Sequence, residues 1–221
     1  MIHYRFAKTG SFLSLLLFLS ALAIGKTHAA PETVLLVFGD SLSAAYRMPE
    51  QQGWVALMEN RIAQQQLDIQ VINTSVSGET TSGGLSRLPA ALSAHQPDIV
   101  LLELGGNDGL RGLPIANMRQ NLEKMVELIQ ASGAQVVLAG IQIPPNYGSR
   151  YTKPFAAQFP ELAEERDLPL IPFILEGIME NPELVQDDGV HPTAEAQAFV
   201  LENVWQVLGP ILMAQTSKST G

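Results

Sequence analysis

The sequence predicts a three-layer α/β/α domain built on a parallel sheet of about five strands. Three observations predict it. Short, continuous apolar runs recur along the chain, as expected for strands buried on both faces. Stretches with apolar residues at helical spacing separate them. Several of the apolar runs break off in glycine-rich turns that carry polar, chemistry-bearing residues.

The elements follow in order. Residues 33–38 (TVLLVF) form a strand ending at Gly39. Trp54, Leu57, Met58 and Ile62 place an amphipathic helix over residues 53–65. Residues 69–73 are a second strand, and Leu85, Leu88, Ala91 and Leu92 mark a helix ending near His95. Residues 98–104 (DIVLLEL) are a third strand running into glycines. A helix over residues 114–131 has proline at its start and Gly133 just past its end. Residues 135–140 are a fourth strand. The helix over 151–167 contains Pro154 and Pro160, so a break or bend is expected. Residues 168–173 are a short fifth strand, and a helix over 194–208 closes the domain with Phe199, Val200, Val204 and Leu208 on one face. Strands alternating with helices imply right-handed β-α-β crossovers.

The first 29 residues have another character. Arg5 and Lys8 precede an apolar stretch of 14 residues, SFLSLLLFLSALAI, and Thr27-His28-Ala29 offers small residues before a cut. This is the layout of a secretory signal peptide. The run is short of the ~20 residues that a membrane-spanning helix needs. Residues 1–29 are therefore expected to be removed, leaving residues 30–221 as a single domain; an uncleaved N-terminal anchor is the alternative. The leader carries three of the 13 basic residues and none of the 22 acidic ones, so the mature net charge is −12 rather than −9. Such a surface disfavours nucleic acid and other polyanions. The chain has no cysteine, which excludes disulfides, thiolate catalysis and Cys-based zinc sites.

Four short motifs carry the chemistry. Ser41 lies in VFGDSLS, Gly78 in SVSGETTSGG, Asn107 in ELGGNDG, and Asp188 with His191 in QDDGVHP. In open α/β sheets, ligands bind at the carboxyl ends of the strands. Ser41, Gly78 and Asn107 follow the first, second and third strands, so they are expected to share a site. Serine is a poor nucleophile until a base takes its proton, and taken alone Ser41 also reads as an ordinary turn residue. Four histidines occur; His3 and His28 lie in the leader, and His95 sits at a helix end where it complements the dipole. His191 alone has a carboxylate three residues earlier, Asp188, able to reach one imidazole nitrogen and leave the other for Ser41. Pro192 is expected to start the last helix. A structural, Asp-capped histidine is the plainer alternative. Asp187, Asp188 and His191, with Asp40 and Asp108, also admit a hard-cation site, although no metal-binding spacing supports it. The Gly78 N–H, the Asn107 amide and the Ser41 N–H can serve as donors to an oxyanion. Asp40 and Asp108 read as loop-holding residues. GGNDG lacks the lysine and spacing of a phosphate loop.

With these blocks in place, the chain resembles the SGNH (GDSL) hydrolases. Further stretches, RLPAALSAHQP, VLLELGGNDGLRG, IPPNYGSRY and QDDGVHP, resemble the bacterial periplasmic thioesterase I / lysophospholipase L1 / arylesterase group. The resemblance spans about Val34 to Pro192. It implies a flavodoxin-like sheet, a Ser41–His191–Asp188 triad, and an oxyanion hole from Ser41, Gly78 and Asn107. It also implies cleavage of carboxylic esters and acyl thioesters with no metal or other cofactor. The acyl group would lie in a shallow groove shaped by residues 78–84, 110–115 and 143–151, with Pro145, Asn146 and Tyr147 along its path. The expected partner is a small-molecule or lipid ester, met by a periplasmic or secreted monomer that neither binds nucleic acid nor stays inserted in a membrane. Acetylated carbohydrate as substrate, and a non-catalytic lipid-binding protein on the same scaffold, are the alternative functions.

Overall fold

A computed structural model describes residues 1–3 and 33–218. The expected signal peptide falls almost wholly outside the described residues.

Five parallel strands form one sheet in the order β2-β1-β3-β4-β5. They are β1 (Thr33–Gly39), β2 (Ile69–Asn73), β3 (Ile99–Glu103), β4 (Gln135–Ala139) and β5 (Leu170–Ile171). The central strands β1 and β3 are buried along almost their whole length, which explains their unbroken apolar sequence. Successive side chains point to opposite faces. Leu35 and Val37 face α1 (Trp54–Gln64) and α6 (Gln197–Lys218). Leu36 and Phe38 face α2 (Thr81–His95), α4 (Ile115–Ala131) and α5 (Ser149–Arg166). The result is the three-layer arrangement expected from the sequence.

Several local expectations are corrected. The α5 helix runs unbroken through Pro154 and Pro160. It buries Phe155, Phe159, Leu162 and Ala163 on one side, and this packing outweighs the missing N–H groups. The carbonyl of Pro154 finds a donor in the Gln158 side chain. Helix α6 starts at Gln197, not at Pro192 or Ala194, and continues past Leu208 through Pro210. Pro192 instead forms an antiparallel bridge with Val185. Phe199 is 54% exposed, because the buried stripe is Val200, Val204, Leu208 and Leu212, and Phe199 lies one position off it. A short helix, α3 (Gly106–Leu110), occupies the expected loop after β3, and Thr81–Gly84 are the first turn of α2 rather than loop.

Strand order reverses between β1 and β3: β2 lies on one side of β1, while β3, β4 and β5 follow on the other. The carboxyl ends of β1 and β3 therefore open into the crevice where doubly wound sheets bind ligands. No described helix is long and apolar enough to cross a membrane.

Candidate active site

The site is assembled at that crevice. Strand β1 ends at Gly39, and the chain turns tightly over residues 40–47. The Ala44 N–H donates to the Asp40 carbonyl (3.0 Å), and the Leu42 N–H donates to Asp40 Oδ1 (3.0 Å). Ser41 sits on this turn, 9% exposed. Its hydroxyl lies 2.8 Å from His191 Nε2. His191 Nδ1 lies 2.8 Å from Asp188 Oδ2. Asp188 Oδ1 accepts the N–H groups of Val190 and His191, both at 3.0 Å. This tight turn needs Gly189, whose φ of 71° lies in the left-handed region. Partial burial works against the Asp188 charge, but the hydrogen bonds from the His191 backbone and ring and from Val190 outweigh it. The carboxyl is held below its usual value.

Two latches bring the remaining expected residues to the same end of the sheet. Asp108 accepts the backbone N–H of Thr81 at Oδ2 (2.8 Å) and its hydroxyl at Oδ1 (2.7 Å), pinning the start of α2 to α3. Arg111 Nη2 donates to the Gly78 carbonyl at 2.7 Å. Gly78 itself has φ of 80°. Asn107, in the first turn of α3, donates its side-chain amide to Asp40 Oδ2 at 3.0 Å. Asp40 and Asp108 thus hold loops, as their positions in the sequence suggest.

Nothing local in the sequence marks Glu103. It ends the apolar strand β3, pairs in register with Gly39, and is fully buried beneath the serine turn. Its Oε2 accepts the Ser43 hydroxyl (2.8 Å) and the Asp40 N–H (3.2 Å), while Oε1 has no partner. A Cβ at position 39 would stand 2.5 Å from Glu103 Oε2, so glycine is required there. Burial, and then the neighbouring Asp40 charge, push the Glu103 carboxyl well above its usual range. Burial also raises Asp40 to about 6, against the opposing hydrogen bonds from Leu42 and Asn107.

These shifts fix a sign. An acid whose pKa rises on folding binds its proton more tightly in the native state, so its contribution to stability is best below the unfolded value and is lost as pH rises through the folded one. For Asp40 the window runs from 3.8 to about 6; for Glu103 it begins at 4.5 and extends upward. Asp188 runs the other way, its stabilisation being lost as pH falls through its lowered value. Glu103→Gln keeps an acceptor for Ser43 and Asp40 but cannot ionise. Its Tm, measured relative to wild type, is expected to rise between pH 5 and pH 8. An offset that does not change across that range would show that Glu103 carries no ionisation cost.

Beside Ser41 opens a groove of about 570 Å³. Its walls are mostly apolar, from Leu110, Ile141, Ile143, Pro144, Pro145 and Leu175, with Lys153 and Glu180 as its charged members. Of the residues expected along an acyl path, Pro145 lines the groove. Asn146 and Tyr147 do not; the Tyr147 hydroxyl instead donates to the Leu110 carbonyl (2.9 Å) and ties one loop to the other.

Residues 37–199 match the GDSL-like lipase/acylhydrolase family. The esterase TesA of Pseudomonas aeruginosa is 48% identical over 192 residues, covering 87% of this chain and 95% of that protein. The thioesterase 1/protease 1/lysophospholipase L1 of Escherichia coli is 44% identical, covering 84% and 88%. The crystal structure of the psychrotrophic esterase EstA from Pseudoalteromonas, inhibited by monoethylphosphonate, superposes with a TM-score of 0.78 at 40% identity, covering 81% of this chain and 98% of that one. The chain belongs to the GDSL-like lipase/acylhydrolase family, the SGNH esterases.

Proposed function

We propose that the chain is a secreted serine esterase that works through an acyl-enzyme, with residues 30–221 as its single mature domain. The observation that carries this reading is the unbroken relay Ser41–His191–Asp188, with two contacts of 2.8 Å. His191 Nε2 takes the hydroxyl proton as Ser41 Oγ attacks the acyl carbonyl carbon. Asp188 fixes the tautomer and offsets the charge of the imidazolium. Collapse of the tetrahedral intermediate expels an alcohol or thiol, which leaves with that proton. Water, deprotonated by the same imidazole, then releases the acid and restores Ser41. The N–H groups of Ser41 and Gly78 and the Asn107 amide stabilise the oxyanion; the second hydrogen of that amide is available, since the first goes to Asp40. No step requires a metal or cofactor.

The apolar groove beside Ser41 favours fatty acyl, aryl or lysophospholipid esters, and acyl thioesters, over acetylated carbohydrate. The leader-like N-terminus favours action in the periplasm or the medium, where acyl-CoA is scarce. A monomer satisfies every step.

The test is labelling with a fluorophosphonate, which needs an activated serine. Intact-protein mass should show one adduct, and peptide mapping should place it on Ser41. A folded protein that takes no label would fit a lipid-binding protein on this scaffold instead.

A further inference from the structure

Tyr46 stands between two non-glycine residues in the left-handed region, Ala45 (φ 52°) and Arg47 (φ 57°). Left-handed backbone at non-glycine residues costs free energy, and where it persists the surroundings must enforce it. Here the outcome is the placement of one ring. The Tyr46 ring centroid lies 4.3 Å from that of His191, with the planes inclined by 36°. The half-buried ring has no hydrogen-bond partner for its hydroxyl among the described residues, so its contribution is its face, not its polar tip.

A second contact joins the same two segments. Gln186 Nε2 donates to the Tyr46 carbonyl (3.1 Å) and to the Pro192 carbonyl (2.9 Å). The Gln186 backbone N–H donates to the His191 carbonyl at 2.7 Å. One residue therefore grips the chain at His191 and Pro192 and also the turn that carries the tyrosine. The Arg47 guanidinium lies 5.2 Å from the centroid of the same ring and 3.9 Å from Asp188 Oδ2. It is too exposed to anchor much by itself.

We infer that Tyr46, fastened by Gln186, is a positioning residue for the base: its ring packs on the imidazole and fixes the imidazole plane between Ser41 Oγ and Asp188. Hydrogen bonds at the two ring nitrogens resist tilting of the ring out of its plane only weakly. A ring stacked on one face limits that tilt. The π face also favours the imidazolium that forms at each proton transfer. Misplacing a catalytic group by about 1 Å can cost on the order of 10²-fold in rate.

The inference rests on His191 being the base, and the experiment separates the two. Tyr46→Ala, Tyr46→Phe, Gln186→Glu and His191→Ala are compared by steady-state hydrolysis of a p-nitrophenyl ester, by the second-order rate of fluorophosphonate labelling, and by Tm. Tyr46→Ala is expected to lower kcat by roughly 10- to 100-fold with KM changed little, and to slow labelling by a similar factor. Tyr46→Phe, which keeps the ring, is expected to restore both. Gln186→Glu, which keeps the shape but loses both donations, is expected to lower kcat and labelling in the same direction, and decides the matter if Tyr46→Ala does not fold. Wild-type kcat and labelling in folded Tyr46→Ala, or in Gln186→Glu, would overturn the clamp. So would a Phe variant as impaired as the Ala variant. If His191→Ala stays active, the base assignment itself falls; if it is inactive while Tyr46→Ala is not, only the clamp does.

Discussion

Ser41→Ala is expected to reduce kcat for a chromogenic acyl ester by roughly 10⁴- to 10⁶-fold, the range seen when a member of a serine triad is removed. The fold should survive. The substitution deletes one oxygen, and the turn is held by groups that stay: the Asp40 carboxylate on the Leu42 N–H, the Asp40 carbonyl on Ala44, and Glu103 beneath. The Tm should therefore remain within a few degrees of wild type. Steady-state hydrolysis, corrected for contaminating esterase by comparison with a mock purification, measures the loss. A folded variant with a tenth of wild-type kcat would remove Ser41 from the role of nucleophile.

Trp54→Ala is expected to have the largest effect on stability. Trp54 opens α1 and is fully buried. Its indole N–H donates to the Leu42 carbonyl at 3.1 Å, and its backbone N–H donates to Gln197 Oε1 at 3.0 Å. The ring thus joins the serine turn to the layer formed by α1 and α6. Truncating a buried tryptophan costs roughly 3–5 kcal/mol, or about 6–20 °C in Tm for a domain of this size. Leu42 adjoins Ser41, so activity below the melting temperature should fall as well. Trp54→Phe keeps most of the volume but loses the donor, and should lie between the two. Circular-dichroism melts decide it; a shift of less than 2 °C for the alanine variant would mean that the cavity closes at little cost.

The sheet was legible because buried parallel strands have no polar face to interrupt them: residues 35–38 and 99–102 announce themselves. The residues that meet as Ser41, His191 and Asp188 were legible because they sit in glycine-marked turns, Ser41 just past the end of β1 and the other two around Gly189. What escaped was tertiary. Glu103 reads as the polar end of a strand, and only the register with Gly39 shows that it lies under the turn that carries Ser41. Tyr46 carries no local signal, since its significance is a contact with a residue 145 positions later. The prolines of α5 misled for a related reason: propensity is a local argument, and packing of Phe155 and Phe159 outweighs it. Phe199 was misplaced by a single step on the helical wheel.

The hydroxyl and the imidazole that meet at 2.8 Å are separated by 150 residues of chain. A polypeptide emerging N-terminus first presents Ser41 long before His191. On the proposed mechanism, the serine has no base to activate it until the segment that includes Gln186 and His191 docks. Turnover of a chromogenic ester is thus also an assay of complete maturation, silent for any truncated or stalled product that ends before residue 191.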